Sequence, residues 1–375
     1  NYKGNPNQPL FILDGFETTL QRVIDMDPNR VESITILKDA SAAALYGSRS
    51  ANGVIVIETK APEMGRLQVT YTGDYAVVIP DLSDYDLLNA REKLELQLEA
   101  GHFEATNSAT YNSLQDYYNR LRKNVEEGVD TYWLSKPVQT GFEHRHNIRL
   151  EGGDKVLRYS MNLTARFAPG VMKESNLNTK TGKIDLNYRN NKLLINNSLS
   201  VDYSDGARTS PYGSFQDYAM VNPYYRKTDS HGNIKQLLDD NRTGDEFDDV
   251  VARYGEPILN PLWNKQFESK DDSKNFELRE ALKVEYLPVE NLRLSLDFTL
   301  TRTDGSVEVF KSAQHNDFYS VTDPAQKGSY DWTKKEGTSY RVSLSGAYNK
   351  SLGDHLLSAF ARYSINETSS KTTGL

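Results

Sequence analysis

Along much of this chain, apolar and polar positions alternate with a period of two. Leu157, Tyr159, Met161, Leu163, Ala165 and Phe167 are interleaved with Arg158, Ser160, Asn162, Thr164 and Arg166. Leu292, Leu294, Leu296, Phe298 and Leu300 are interleaved with Arg293, Ser295, Asp297 and Thr299. Successive side chains of a strand point to opposite faces, so each run makes one oily face and one wet face. The pattern predicts strands near 66–79, 143–151, 155–167, 180–189, 192–204, 275–287, 291–304, 337–350 and 354–366. Gly152-Gly153-Asp154, Asn190-Asn191, Pro288 to Asn291 and Ser351 to Asp354 are compact connections. Between them lie long excursions at 80–142, 205–274 and 305–336, and a shorter one at 168–179. Sequential antiparallel strands put successive connections at opposite ends, so the short turns should share one rim. A membrane β-barrel has short turns on one rim and long loops on the other. A soluble sandwich or barrel shares the period of two, and the alternation alone leaves both open. In a membrane, Leu157, Met161, Leu163, Leu294, Leu296 and Phe298 should meet lipid, with Arg158, Arg166, Arg293 and Asp297 turned inward. A charge facing mid-membrane lipid costs roughly 2–4 kcal/mol.

Composition changes this picture little. The chain has 375 residues, 44 basic and 52 acidic, for a formal net charge of -8. That length suits two or three soluble domains or one large barrel portion. Mean hydropathy is -0.66. No apolar run is long enough for a helical membrane span, which leaves β-spans untouched. No signal peptide is visible, so the chain is expected to be processed, truncated or never exported. There is no cysteine, hence no disulfide and no thiolate metal site. The 23 tyrosines suit lipid-interface belts or sugar-binding surfaces, and equally ordinary β-propensity.

The first sixty residues follow another plan. Leu10 to Leu13 is a short apolar run stopped by Asp14-Gly15, and Glu32 to Leu37 alternates. Asp39 or Ser41 is placed to cap a helix begun by Ala42 to Leu45, and Gly47 to end it. Asn52-Gly53 then turns the chain into Val54-Ile55-Val56-Ile57. Strand, short helix and strand make a small α+β globule rather than barrel wall.

The segments Pro9-Leu10-Phe11-Ile12-Leu13-Asp14-Gly15, Val31 to Ala42 and Ala44 to Lys60 closely resemble the second half of the plug of TonB-dependent outer-membrane transporters, in their SusC/RagA-like branch. The resemblance is sharp over 9–60 and looser beyond, at Leu87-Leu88-Asn89-Ala90 and Asn260-Pro261-Leu262. It implies a mainly β fold, a partial transmembrane β-barrel with a small α+β plug segment. Residues 1–65 would be the C-terminal part of the plug, and 66–375 the N-terminal portion of the barrel. It also implies import of large nutrients, chiefly oligosaccharides or peptides, with a SusD-like surface lipoprotein capping the barrel and TonB supplying energy. The location would be the outer membrane of a Gram-negative, Bacteroidota-like cell. The plug motif falls on Asp14, Gly15, Lys38, Asp39, Ala40, Tyr46, Gly47, Arg49, Asn52 and Gly53. No TonB box or first half of the plug matches. Plugged barrels need about 22 strands and open edges do not persist in lipid, so an internal fragment is expected. Lys38, Asp39 and Arg49 are candidates to pair with wall residues such as Arg158, Arg166 or Asp297, although local capping and solvated charge is the plainer alternative.

The long excursions hold the candidate ligand side. Helical spacing over Asp84 to Ala100 and over Leu114 to Val125 predicts a structured first loop. Tyr117, Tyr118, Tyr132, Trp133, Tyr212, Tyr218, Tyr224, Tyr225 and Trp263, with Phe215, are candidates for contact with ligand or lipoprotein, against a simpler role in packing the loops. Asp239-Asp240, Asp245-Glu246 and Asp248-Asp249 are acidic enough for a hard cation but lack calcium-loop spacing.

Enzymatic signals are weak. His144 and His146 form a His-x-His pair that zinc enzymes use, but no third ligand is convincing and a place on the wall or rim fits better. Nucleophile elbows, phosphate loops and dinucleotide fingerprints are missing, so no catalytic residue, cofactor or metal is expected. The acidic balance disfavours nucleic acid. The leading reading is an energised importer with a glycan favoured as substrate. The alternatives are a peptide importer, an outer-membrane receptor or signal transducer, and a soluble β-rich carbohydrate-binding protein or hydrolase.

Overall fold

The structure is a computed structural model that describes residues 8–18, 20–26, 31–37, 52–60, 65–207, 211–239, 257–352 and 355–375. Near the N-terminus, β1 (Leu10–Leu13) and β2 (Phe16–Thr18) form a hairpin. Its two turn residues, Asp14 and Gly15, have φ of 52° and 85°. Positive φ at both central positions gives a turn whose twist matches its strands, and Asp-Gly tolerates it well. Helix α1 (Leu20–Asp25) leads to β3 (Val31–Leu37), and β4 (Val54–Thr59) inserts between β1 and β3. β4 runs parallel to β1 and antiparallel to β3. Buried Ile12 and Val54, flanked by Leu10, Leu37 and Val56, form the core of this globule. The helix expected at 42–45, with its caps, lies outside the described residues.

A nine-stranded antiparallel meander follows. Its strands are β5 (Gly65–Val78), β6 (Gly141–Gly153), β7 (Leu157–Pro169), β8 (Asn176–Asn190), β9 (Leu193–Ala207), β12 (Ser269–Val289), β13 (Leu292–Lys311), β14 (Ser329–Leu352) and β15 (His355–Gly374). Between β9 and β12, β10 (Leu237–Asp239) and β11 (Ile258–Leu259) make a separate ribbon. All the expected wall strands are present, each paired with the next. The four short connections therefore share one rim and the long loops the other.

Two excursions are shorter than expected. β9 runs to Ala207 and β12 starts at Ser269, while β13 runs to Lys311 and β14 starts at Ser329. The loops are thus 208–268 and 312–328, not 205–274 and 305–336. Beyond the apolar band these strands are rich in charged residues, with Val307, Val309, Phe310, Tyr330 and Trp332 scattered among them, so the regular hydrophobic period is lost while backbone pairing continues. Lys270–Glu308 at 3.4 Å and Lys334–Asp304 at 3.5 Å belong to this charge-rich extension. β12 to β15 hold 20 to 24 residues each, where roughly 9–11 cross a bilayer.

Register fixes the faces. Asn147, Ser160, Asn162, Ser200, Ala281 and Ser343 are buried on the lumenal face, which Arg158, Arg166, Arg293 and Asp297 share by parity. Leu157, Met161, Leu163, Leu294, Leu296 and Phe298 point the other way, as expected. On that outer face Tyr159, Tyr188, Tyr286 and Tyr348 lie near the short turns. Phe167, Tyr203, Phe276 and Tyr340 lie farther along the same face. A separation of about eight residues is ~27 Å along a strand, or ~20 Å of height at barrel tilt, close to the ~25 Å apolar band between aromatic girdles. Asn197 and Glu280 break the outer apolar face, where the Asn197 amide donates to the Glu280 carboxylate.

The long-loop side is helical. α2 (Ala90–Glu99) starts later than the expected Asp84 because Asn89 caps it, in a reciprocal box with Glu92. α3 (Ser108–Glu126) starts earlier than Leu114 because Asn107 caps it. With α4 (Phe215–Ala219), these helices bring loops 79–140 and 208–268 into one apolar core containing Leu94, Phe103, Leu114, Leu121, Leu134 and Leu262.

Candidate functional site

The globule touches the lumenal wall through the apex of its first hairpin. Two interactions hold Asp14. Its carboxylate accepts from the Thr59 amide at 2.8 Å and the Thr59 hydroxyl at 2.9 Å, and it faces Lys183 Nζ at 3.4 Å. Lys183 also pairs with Asp185 at 2.9 Å. Positive φ at Asp14 turns its side chain out of the hairpin, and an odd position on β8 turns Lys183 inward. A cavity of about 210 Å³ adjoins the contact, lined by Asp14, Thr59, Lys60, Lys183, Asp185 and Arg279 among others. Lys183 is 16% exposed and Asp14 32%, so water screens the pair only in part.

This tether differs from the pairs expected. Lys38, Asp39, Ala40, Tyr46, Gly47 and Arg49 lie outside the described residues. Wall partners proposed for them pair with the wall itself: Arg166 with Glu143 at 2.5 Å, and Asp297 with Arg362 at 3.4 Å. Asn52 and Gly53 turn the chain into β4, Gly53 with φ of 87°. Lys183 was missed. Its inward parity is legible in the alternation of β8, but its distance in sequence from Asp14 gives no pairing signal.

Most candidate aromatics are packed inside the loop core. Tyr117, Trp133, Tyr218, Tyr224 and Tyr225 are all buried, which fits the packing alternative. Their polar tips are satisfied internally. The Tyr117 and Tyr225 hydroxyls are 3.0 Å apart, Trp133 Nε1 donates to the Asn222 carbonyl at 3.0 Å, and Tyr218 donates to the Pro261 carbonyl at 3.2 Å. Tyr224 donates to Gln97 Oε1 at 3.0 Å. Burial pushes the Tyr117, Tyr218 and Tyr225 hydroxyls well above the usual phenol range, so they stay protonated. Tyr118 packs on Phe103, with ring centres 5.1 Å apart, and Phe215 packs on Tyr85 at 5.5 Å. Trp263 reaches the third loop, donating to the Gln314 carbonyl at 2.8 Å. Tyr132 is exposed. Tyr212 lies under two lysines, Lys173 at 5.4 Å and Lys265 at 5.3 Å from the ring centre.

Asp239 is nearly buried and pairs with Arg120 at 2.9 Å, so it serves the loop core rather than a cation. The rest of the acidic stretch lies outside the described residues. His144 and His146 are on the outer face with Phe142 and Phe167, and their rings lie 3.1 Å apart through Nδ1 and Nε2. Tyr71 meets His146 Nδ1 at 2.7 Å. Among the described residues no three His, Asp or Glu side chains converge as metal ligands.

A lumen-facing wall, an outer face bracketed by aromatics and an N-terminal globule on the lumenal side make up part of a plugged β-barrel. Residues 2–54 match the TonB-dependent Receptor Plug Domain family. The chain is 29% identical over 192 residues to TonB-dependent receptor SusC of Bacteroides thetaiotaomicron, an alignment covering 48% of this chain and 17% of that protein. It is 24% identical over 364 residues to TonB-dependent receptor P3 of Formosa agariphila, covering 96% and 32%. A structure of the RagAB peptide transporter superposes with a TM-score of 0.74 at 19% identity, over 98% of this chain and 42% of the other. The chain is similar to the SusC/RagA-like TonB-dependent outer-membrane transporters, sharply over its plug segment and more loosely along the wall. These relatives come from Bacteroides and Formosa species, which supports an outer-membrane, Bacteroidota-like location. The chain spans less than a third of the length of these two relatives.

Proposed function

We propose that residues 1–65 act as plug and residues 66–375 as barrel wall in a TonB-energised importer of nutrient oligomers. The observation that carries this is the Asp14–Lys183 contact, by which the described part of the globule meets the lumenal wall through a polar, breakable pair. A plug must seal the barrel at rest and yield when pulled, and a partly exposed ion pair, which breaks at little cost, suits both needs. A SusD-like surface lipoprotein capping the loop rim and TonB acting from the short-turn side are the partners of this reading. An oligosaccharide is one reading of the substrate, supported by the accessible Tyr132. A peptide is the second reading, because burial of five aromatics removes most of the stacking surface that pointed to sugar. The test is uptake of labelled glycans and peptides by cells with and without the gene, in TonB-positive and TonB-negative backgrounds. Uptake should require both. Undiminished uptake in both deletion strains, across a panel that supports growth, would overturn the importer reading. Uptake of peptides alone would move the substrate to the second reading.

A further inference from the structure

Four lysines gather on the long-loop side, delivered by separate segments. Lys136 follows the short helix Trp133–Ser135, Lys173 sits in the β7–β8 loop, and Lys265 lies in the short helix Asn264–Gln266. Lys173 Nζ donates to the Lys136 carbonyl at 2.6 Å, which joins the first two segments. Lys173 and Lys265 both stand against the Tyr212 ring. Lys227 is held alongside by fully buried Asn260, whose amide donates to the Lys227 carbonyl at 3.0 Å. Among the described residues, Lys136, Lys227 and Lys265 have no carboxylate partner.

Gathering like charges is unfavourable unless something repays it. The Tyr212 ring offsets part of the repulsion by cation–π attraction. An anion would offset the rest. In a chain with a net charge of -8, such a local positive field concentrates acidic ligands at one place. Lysines deliver point charges on flexible stems, and suit carboxylates presented in several orientations.

We propose that Lys136, Lys173, Lys227 and Lys265, arranged around Tyr212, bind a carboxylate group of the transported oligomer, either a uronate of a glycan or a carboxylate of a peptide. The proposal rests on the importer reading and deepens it. Tyr212 then positions lysines instead of stacking on sugar. Burial, followed by repulsion from Lys227 and Lys173, lowers the Lys136 ammonium below its usual pKa.

The test is calorimetric titration of the protein purified from outer membranes with four probes: oligogalacturonate, a glutamate-rich peptide, and their neutral counterparts maltoheptaose and a glutamine-rich peptide. At least one acidic probe should bind more tightly than its neutral counterpart. K173Q/K265Q should weaken that probe by about tenfold or more, and K123Q on α3 should not. Uronate and peptide arms identify which source supplies the carboxylate. If the double variant misfolds by heat-modifiable mobility, K265Q alone and wild-type titration in high salt take its place, and acidic binding insensitive to both overturns the site. Equal affinity for acidic and neutral probes also overturns it, as does a loss confined to binding of the surface lipoprotein, which would make the cluster a partner interface. TonB-dependent uptake of neutral oligomers persisting beside any of these results leaves the importer reading standing. Loss of TonB dependence defeats that reading separately.

Discussion

At the scale of single residues, Asp14 carries the most specific consequence. Its carboxylate joins the end of β4, through Thr59, to Lys183 of the wall. Asp14→Ala removes both contacts and should loosen the plug by about 1–2 kcal/mol. Lys183→Gln removes only the wall contact and should have the smaller effect. Sensitivity of cells to a bulky antibiotic excluded by sealed barrels measures both; a larger leak in K183Q than in D14A would show that the Thr59 contacts do not hold the hairpin. The outward pair Asn197–Glu280 invites a double-mutant cycle. Asn197→Leu alone strands a carboxylate on the apolar face and should cost about 1–3 kcal/mol, whereas N197L/E280L should restore most of it. Urea unfolding in detergent micelles reads the cycle, and additive losses would place the pair outside the apolar band. Asp14-Gly15 was legible in sequence as a turn because Asp-Gly favours positive φ. Its use as a tether was not, since Lys183 lies far along the chain and only folding brings the two together. Packing of Tyr117 against Tyr225 was hidden for the same reason, with 108 residues between them.

Strands and helices differ in how openly the chain declares them. The wall strands could be read from alternation wherever one face meets apolar surroundings, and the turns from Gly152-Gly153 and Asn190-Asn191. Strand ends could not, because β12 to β15 continue as charge-rich ribbons in which apolar residues such as Val307, Val309 and Trp332 no longer keep a regular period. Helix starts were set by Asn89 and Asn107, caps that the apolar spacing did not weigh. Asn89→Ala should destabilise α2 by about 1 kcal/mol, seen as faster amide exchange over 90–99; unchanged exchange would mean that packing of Ala90 and Leu94 alone holds its first turn. Glycine adds a constraint within a strand. A Cβ on Gly206 would run into the Asn176 carbonyl at the end of β8, while one on Gly182 would meet only Leu163 at ordinary contact distance, 3.5 Å. G206A should therefore lower the folded fraction, by heat-modifiable mobility, more than G182A. The reverse order would mean that β8 and β9 separate freely near the loops.

For the whole molecule, the decisive property is which face of the meander meets lipid. Leu296 pairs with Val284 and Leu344 on the outer face, and Arg293 pairs with Ala347 on the lumenal face. The two positions are three residues apart on β13, so they share strand, depth and neighbours closely enough for a direct comparison. Leu296→Arg puts a cation into the apolar band two residues inside the Tyr286 level, at a cost of roughly 1–3 kcal/mol, between the interface and midplane values. That is a large part of the total stability of a typical fold. Arg293→Ser exchanges one polar group for another facing water or plug, and should cost at most about 1 kcal/mol. The amount of protein reaching the outer membrane in heat-modifiable form should fall sharply for L296R and stay near wild type for R293S. A sheet with water on both faces would accept both changes alike, and that result would remove the membrane assignment on which the sealing role of Asp14 and the lysine cluster on the loop side both depend.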